Sequence, residues 1–239
     1  LKLKVFEKIQ EIWKGKTSKK EQGIYFGVII VGYTIISLIS QSLFPVKYSI
    51  LDFKISAQGS ITSNPDGHIL WNIGMIVMGL LLVPHMRYLN DGLKNSSPRF
   101  AEAINVLSIT ACIGFSFVGL FPREYPWLHS IPAAIALYGF YFSLNMYLLL
   151  LIDQKKNERQ TVWPKSWSFV LIFIPLNVVV IGNVLRSLLP SKLWISQIDP
   201  RIYSYPPWQW SFLISIFLTF LGIFLILPNK KNQVELKTA

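Results

Sequence analysis

The chain has 239 residues, of which 52% are hydrophobic and only 15% charged, with a mean hydropathy of +0.43 and a formal net charge of +11. A water-soluble fold of this length carries nearer a quarter charged residues, so this composition excludes an ordinary soluble domain. The basic excess does not point to nucleic acid, which needs one continuous basic surface; here the charges sit between long apolar runs, where anionic lipid headgroups are the natural partner.

In chain order, residues 1–23 form a basic tail in which Leu3, Phe6, Ile9 and Trp13 recur at three- and four-residue spacing with lysines between them. That pattern predicts an amphipathic helix lying on the inner leaflet of a membrane. The first apolar run follows a long charged stretch without a small-residue cleavage site, so it is expected to be retained as a helix.

Residues 24–228 hold six apolar runs, Ile24–Phe44, Ile69–Met86, Ala103–Phe121, Ile131–Ile152, Trp167–Leu189 and Trp208–Leu227. At about 1.5 Å per residue each is long enough to cross a hydrocarbon core of about 30 Å, given modest tilt. The fold expected is all-α, a polytopic bundle of six transmembrane helices, with residues 229–239 as a second basic tail. The second run is the least regular, because His68 and Arg87 bracket it closely and Pro84 interrupts its end.

Orientation follows from Lys and Arg near the span ends. Lys2, Lys4, Lys8, Lys14, Lys16, Lys19 and Lys20 in the first tail share a side with Arg87, Lys94, Arg99, Lys155, Lys156, Arg159, Lys165, Lys230, Lys231 and Lys237, which makes 17 of the 23 basic residues. Lys47, Lys54, Arg123, Arg186, Lys192 and Arg201 make up the other side. Both tails are therefore expected in the cytoplasm of a multi-pass cell-membrane protein. The loops Pro45–Gly67 and Pro190–Pro207, about twenty residues each, face outward and are long enough to pack as lids.

Candidate functional residues gather on that outer side. Asn64-Pro65-Asp66-Gly67-His68 leads into the second run, and Arg123-Glu124 with His129 leads into the fourth. Asp66, His68, Glu124 and His129 are the side-chain types of a hydrolytic zinc site, with three ligands and a general base, although their spacing lacks the i, i+4 pair of helix-borne zinc ligands. The competing reading gives them caps and loop hydrogen bonds: Asp66 accepting from a helix start, Asn64-Pro65 as a turn, His129 reaching loop carbonyls. Asn72, Asn105, Asn145, Asn177 and Asn183 lie within apolar runs and are expected to hydrogen-bond between helices. Asn183 and Arg186 share a face at the outer end of the fifth run, where Arg186 either snorkels or receives a lipid headgroup. Cys112, the single cysteine, falls inside an apolar run and reads as a small buried side chain.

Asn64-Pro65 followed by Ile69-Leu70-Trp71-Asn72-Ile73-Gly74, and Gly119-Leu120-Phe121-Pro122 followed by His129, resemble a family of six-span membrane proteins, domain of unknown function 998, and more distantly Frag, DRAM and Sfk-type proteins. The resemblance implies the six-span layout and a lipid-related role, and supplies no catalytic residues. Alkaline ceramidases, which are seven-span lipid hydrolases with a His-x-x-x-His pair, are not matched: the three histidines are His68, His85 and His129, with His85 expected on the opposite side from the others. The leading expectation is a protein that binds or organises lipid at an outer mouth. The alternatives are a metal-dependent lipid hydrolase, a small-solute transporter and a subunit of a membrane complex.

Overall fold

The computed structural model describes residues 2–95, 97–157, 174–182, 184 and 205–227. The helices are α1 (Lys2–Trp13), α2 (Lys19–Ser42), α3 (His68–Leu93), α4 (Pro98–Leu120), α5 (Pro126–Asn157) and α6 (Tyr205–Ile226), with a short 3-10 turn at Ile55–Gly59. Residues 174–182 are also helical, and no strand occurs among the described residues. Five helices, α2 to α6, are long and apolar enough to cross a membrane. The protein is a multi-pass, all-helical membrane protein. Most of the predicted run Trp167–Leu189, and with it Asn183 and Arg186, lies outside the described residues.

The bilayer's imprint is clearest on α2. Its exposed positions include Ile24, Val28, Val31, Ile35 and Leu38, whereas its buried face is Gln22, Phe26, Ile29, Tyr33, Ser37 and Ser40. Both sets follow helical spacing, but the aliphatic stripe points outward and the polar groups point in, the reverse of a soluble helix. The helix starts at a capping box: Ser18 Oγ accepts from the Glu21 N–H, and Glu21 Oε2 accepts from the Ser18 N–H at 2.9 Å.

Helix α3 packs against α2, α4, α5 and α1. Lipid tails are as apolar as leucine, so helices in a membrane gain mainly from close fit, and small residues sit where they meet. A Cβ at Gly79 would lie 2.2 Å from Ser116 Oγ and 2.7 Å from the Cys112 carbonyl oxygen, and one at Gly119 would lie 2.3 Å from the Asn72 carbonyl oxygen. Ser116 Oγ uses that proximity to donate to the Ile76 carbonyl at 3.0 Å. Cys112 is fully buried in this seam.

The second predicted run ends at Met86, but α3 continues through Pro84 to Leu93. Tertiary contacts sustain it there. Tyr25 Oη donates to the Leu81 carbonyl at 2.6 Å in the turn that Pro84 loosens, and Leu82, Met86 and Leu89 are buried. His85 stacks on Phe26 with ring centroids 3.9 Å apart, and its Nδ1 lies 3.1 Å from Gln22 Nε2 while Thr17 Oγ1 donates to Gln22 Oε1. One end of the bundle thus ties the α1–α2 junction to α3. Arg87 reinforces it by donating to the Trp13 carbonyl and lying 5.4 Å from the Trp13 ring. His68 and His85 are separated by about 25 Å of helix, at opposite ends of α3.

Of the asparagines expected to bond between helices, Asn145 and Asn177 do so, whereas Asn72 bonds the 3-10 turn and the buried Asn105 Oδ1 has no partner among the described residues. Asn177 Nδ2 donates to Asn145 Oδ1 at 3.1 Å, and Tyr141 Oη donates to Asn177 Oδ1 at 2.8 Å, linking residues 174–182 to α5.

The same one-carbon change is expected to have different effects at two glycines. Gly79→Ala drives a methyl into α4 backbone and should cost about 1–3 kcal/mol, as overpacking does. Gly27, with nothing within 4 Å of a Cβ, should accept alanine without loss. Thermal unfolding of the purified protein in detergent checks the contrast; equal midpoints for the two variants would show that the α3–α4 seam is not tight.

Candidate functional site

The end of the bundle away from α1, called here the mouth, is closed by the long connection between α2 and α3. Its first half is an aromatic cluster: Tyr48 stacks on Phe53 at 5.5 Å and meets Phe44 and Trp210 edge-on at 4.8 and 6.2 Å. Trp210 Nε1 donates to the Phe53 carbonyl, and Gln209 Oε1 accepts from the Ile55 N–H at 3.0 Å, so the connection is fastened to the start of α6. Its second half folds around Asn64. Asn64 Nδ2 donates to the Ser40 and Gln58 carbonyls, with Ser40 Oγ at 3.0 Å, while Oδ1 accepts from the Gly67 N–H. One fully buried amide therefore joins the end of α2, the 3-10 turn and the start of α3. The connection packs as a lid, as its length suggests.

The second predicted run and the segment leading into the fourth contribute the lid's other fastenings. Asn72 Nδ2 donates to the Gly59 carbonyl at 3.1 Å. Glu124 Oε1 accepts from Ser60 Oγ at 2.6 Å and from both the N–H and hydroxyl of Thr62 at 3.0 Å. Partial burial works to raise the Glu124 pKa, but the Ser60 and Thr62 bonds outweigh it and hold the carboxyl down at about 2. Those bonds explain why an acid lies here.

The remaining predicted residues separate. Asp66 is exposed, and the start of α3 at Gly67 has no side-chain cap; Asn64, two residues from the expected position, closes that turn instead. His68 Nδ1 lies 2.8 Å from the Pro65 carbonyl, and His129 Nδ1 lies 2.7 Å from the Phe121 carbonyl. A carbonyl only accepts, so in both rings Nδ1 donates and Nε2 keeps the lone pair when the ring is neutral. Among the described residues no three His, Cys, Asp or Glu side chains converge where one cation would be held.

Arg123 and His129 do share a feature. They line a chamber of about 340 Å³ beneath the lid, with Lys54, Ser56, Ser130 and Gln209 as its other polar walls and Ala133, Leu137, Tyr138 and Phe212 among its apolar ones. Partial burial, and then the Arg123 charge, lower the Lys54 pKa, and both basic side chains line the one chamber. Lys54, Ser56 and Gln209 were not singled out from sequence. They lie in a loop and at a helix start whose apposition depends on the lid, and only the basic character of Lys54 was visible beforehand.

Glu124→Gln should loosen the lid, with a pH dependence that identifies the carboxylate. The folded pKa lies below the ordinary carboxylate value of about 4.5. The stability advantage of the native carboxylate over glutamine is thus complete above about pH 4.5 and lost as pH falls toward 2. Thermal unfolding of both proteins between pH 7 and 3 checks this; a constant difference in midpoint across that range would count against it. Comparison of the chain with protein-family models, with curated proteins and with solved structures finds no match.

Proposed function

We propose that this chain is a six-span protein that binds the anionic headgroup of a membrane lipid in the chamber at its mouth. The observation that carries the reading is the pairing of Lys54 and Arg123 in the wall of a chamber whose deeper walls are apolar. A bound anion offsets two like charges placed together, and phosphate-bearing headgroups suit an Arg fork beside a Lys. Apolar walls beneath the cations suit the rest of an amphiphile. The resemblance to the domain of unknown function 998 family, with its lipid-related distant members, agrees with this reading.

The proposed topology places the mouth outside and both tails in the cytoplasm, from the excess of basic residues on the tail side. In this reading the helical residues 174–182 are part of the fifth of the six spans, Trp167–Leu189. In α1, Val5, Phe6, Ile9 and Trp13 are exposed beside lysines, as suits a helix lying on the inner leaflet and held by anionic lipid.

Neutralising both cations, Lys54→Gln with Arg123→Gln, should weaken binding of phosphatidylglycerol by roughly 30-fold, at about 1 kcal/mol per basic group near a lipid surface. Lipid retention measured by native mass spectrometry, with phosphatidylcholine as the uncharged control, reads the loss. Equal retention of the two lipids by the native protein would sink the headgroup assignment.

A further inference from the structure

Three hollows lie in series. The chamber under the lid shares Ser56, His129, Ala133, Leu137 and Gln209 with a narrow hollow of about 40 Å³ in the bundle core. That hollow shares Tyr33 and Leu213 with a third, a groove of about 390 Å³ between α2 and α6. The groove runs about 16 Å along α2, from Ile30 to Gln41. Its rim is Leu38, Ile214 and Leu218, all exposed on the sides of membrane-crossing helices, so the groove opens to the bilayer and not to water. The linings are cationic and polar at the mouth, then aromatic and aliphatic, and in the groove mainly aliphatic and aromatic with Thr34, Ser37 and Gln41 along α2.

The seam between α2 and α6 also differs from the others. Where α3 and α4 meet through glycines with backbone nearly touching, α2 and α6 meet through rings: Phe26 with Phe220 at 6.4 Å and Tyr33 with Phe217 at 5.4 Å. Rings on separate helices change rotamer without moving backbone, which a glycine seam does not allow. The Tyr33 hydroxyl is buried at the junction of groove and core hollow with no hydrogen-bond partner among the described residues. A buried donor without a partner costs stability, and an ester or phosphate oxygen passing the junction would satisfy it.

We infer that the α2–α6 seam is a lateral gate through which a lipid enters from the bilayer, with its acyl chain in the groove, its glycerol region at Tyr33 and Leu213, and its anionic head in the chamber. This rests on the headgroup reading above and adds that the ligand is a long-chain amphiphile and not a soluble anion. An acyl chain leaving lipid for an apolar groove gains little, so the chain provides the route and Lys54 and Arg123 provide the selectivity. The core hollow is smaller than the roughly 150 Å³ cavity that accommodates a benzene ring, so Leu213 and Tyr33 must shift for passage. They are the gate.

The test uses the full chain in nanodiscs containing phosphatidylglycerol with a photoactivatable group in the acyl chain, together with glycerol phosphate binding in detergent. Adducts are expected on Thr34, Leu38, Ile214 and Leu218, and should fall at least 10-fold in Leu213→Trp, which plugs the junction, and in Arg123→Glu. Leu213→Trp should keep glycerol phosphate affinity within about 2-fold. Thr34→Trp fills the groove from its exposed side, where folding is not at risk, and should also abolish the adducts. Adducts unaffected by Arg123→Glu would be annular lipid and would overturn the gate, as would native protein that binds glycerol phosphate without groove adducts. Failure of the native protein to bind glycerol phosphate, with adducts indifferent to charge, would overturn the headgroup reading as well.

Discussion

The mouth depends on one buried amide. Asn64 has no access to solvent, and its side chain satisfies backbone groups from the last turn of α2, the 3-10 turn and the start of α3. Twenty-odd residues of loop at the edge of a membrane carry many N–H and C=O groups, and those covered by protein must find partners within it. Asn64, Asn72 and Glu124 provide partners at three points, so the loop settles into a lid. Gly67 belongs to the same arrangement, because a Cβ there would lie 2.5 Å from the Asn64 amide nitrogen. Without the lid Lys54 and Ser56 would have no fixed relation to Arg123 and His129, and there would be no chamber.

Below the mouth the bilayer changes the rules of packing. Since burial of apolar surface gains nothing against lipid tails, the strongest seams are those where small residues permit backbone approach, at Gly79 against Cys112 and Ser116 and at Gly139 against Ala111. Polar side chains turn inward and pair: Asn145 with Asn177, Gln22 with His85, Ser37 with Gln58. The α2–α6 seam departs from this pattern, with aromatic rings along its length, Gly23 against Phe224 at one end and a groove beside them.

The chemistry of the mouth follows from where charge is placed relative to apolar wall. Arg123 follows Pro122 at the end of α4, and Lys54 immediately precedes the 3-10 turn, so both cations are held by backbone that the lid fixes. His129 sits one turn into α5 with Nδ1 committed to the Phe121 carbonyl. Among the residues named for the family resemblance, Asn64 and Asn72 hold the lid, Gly119 admits the Asn72 backbone against α4, and the Phe121 carbonyl orients His129.

Much of this molecule is legible in its sequence because the bilayer sets such simple conditions. Long apolar runs, inward-facing polar residues and charge crowded at the ends follow from the cost of leaving polar groups in hydrocarbon, and each leaves a local mark at α2 to α6. The capping box at Ser18 and the burial of Cys112 are local in the same sense. What depends on tertiary structure is everything set by two distant segments meeting. Asp66 reads as the cap at the start of α3 and Asn64 as part of a turn, but Asn64, held by Ser40 and Gln58, is the residue that accepts from the Gly67 N–H. Glu124 had the side chain of a metal ligand, and Ser60 and Thr62, some sixty residues earlier, made it a loop fastening. Tyr25 of α2 meets the Leu81 carbonyl where α3 runs through Pro84, and the chamber needed Lys54 brought beside Arg123. Spacing along one helix carries no information about which residue of another helix it will face, and in a membrane, where hydrophobicity does not choose partners, that choice belongs to shape and hydrogen bonding in the folded bundle.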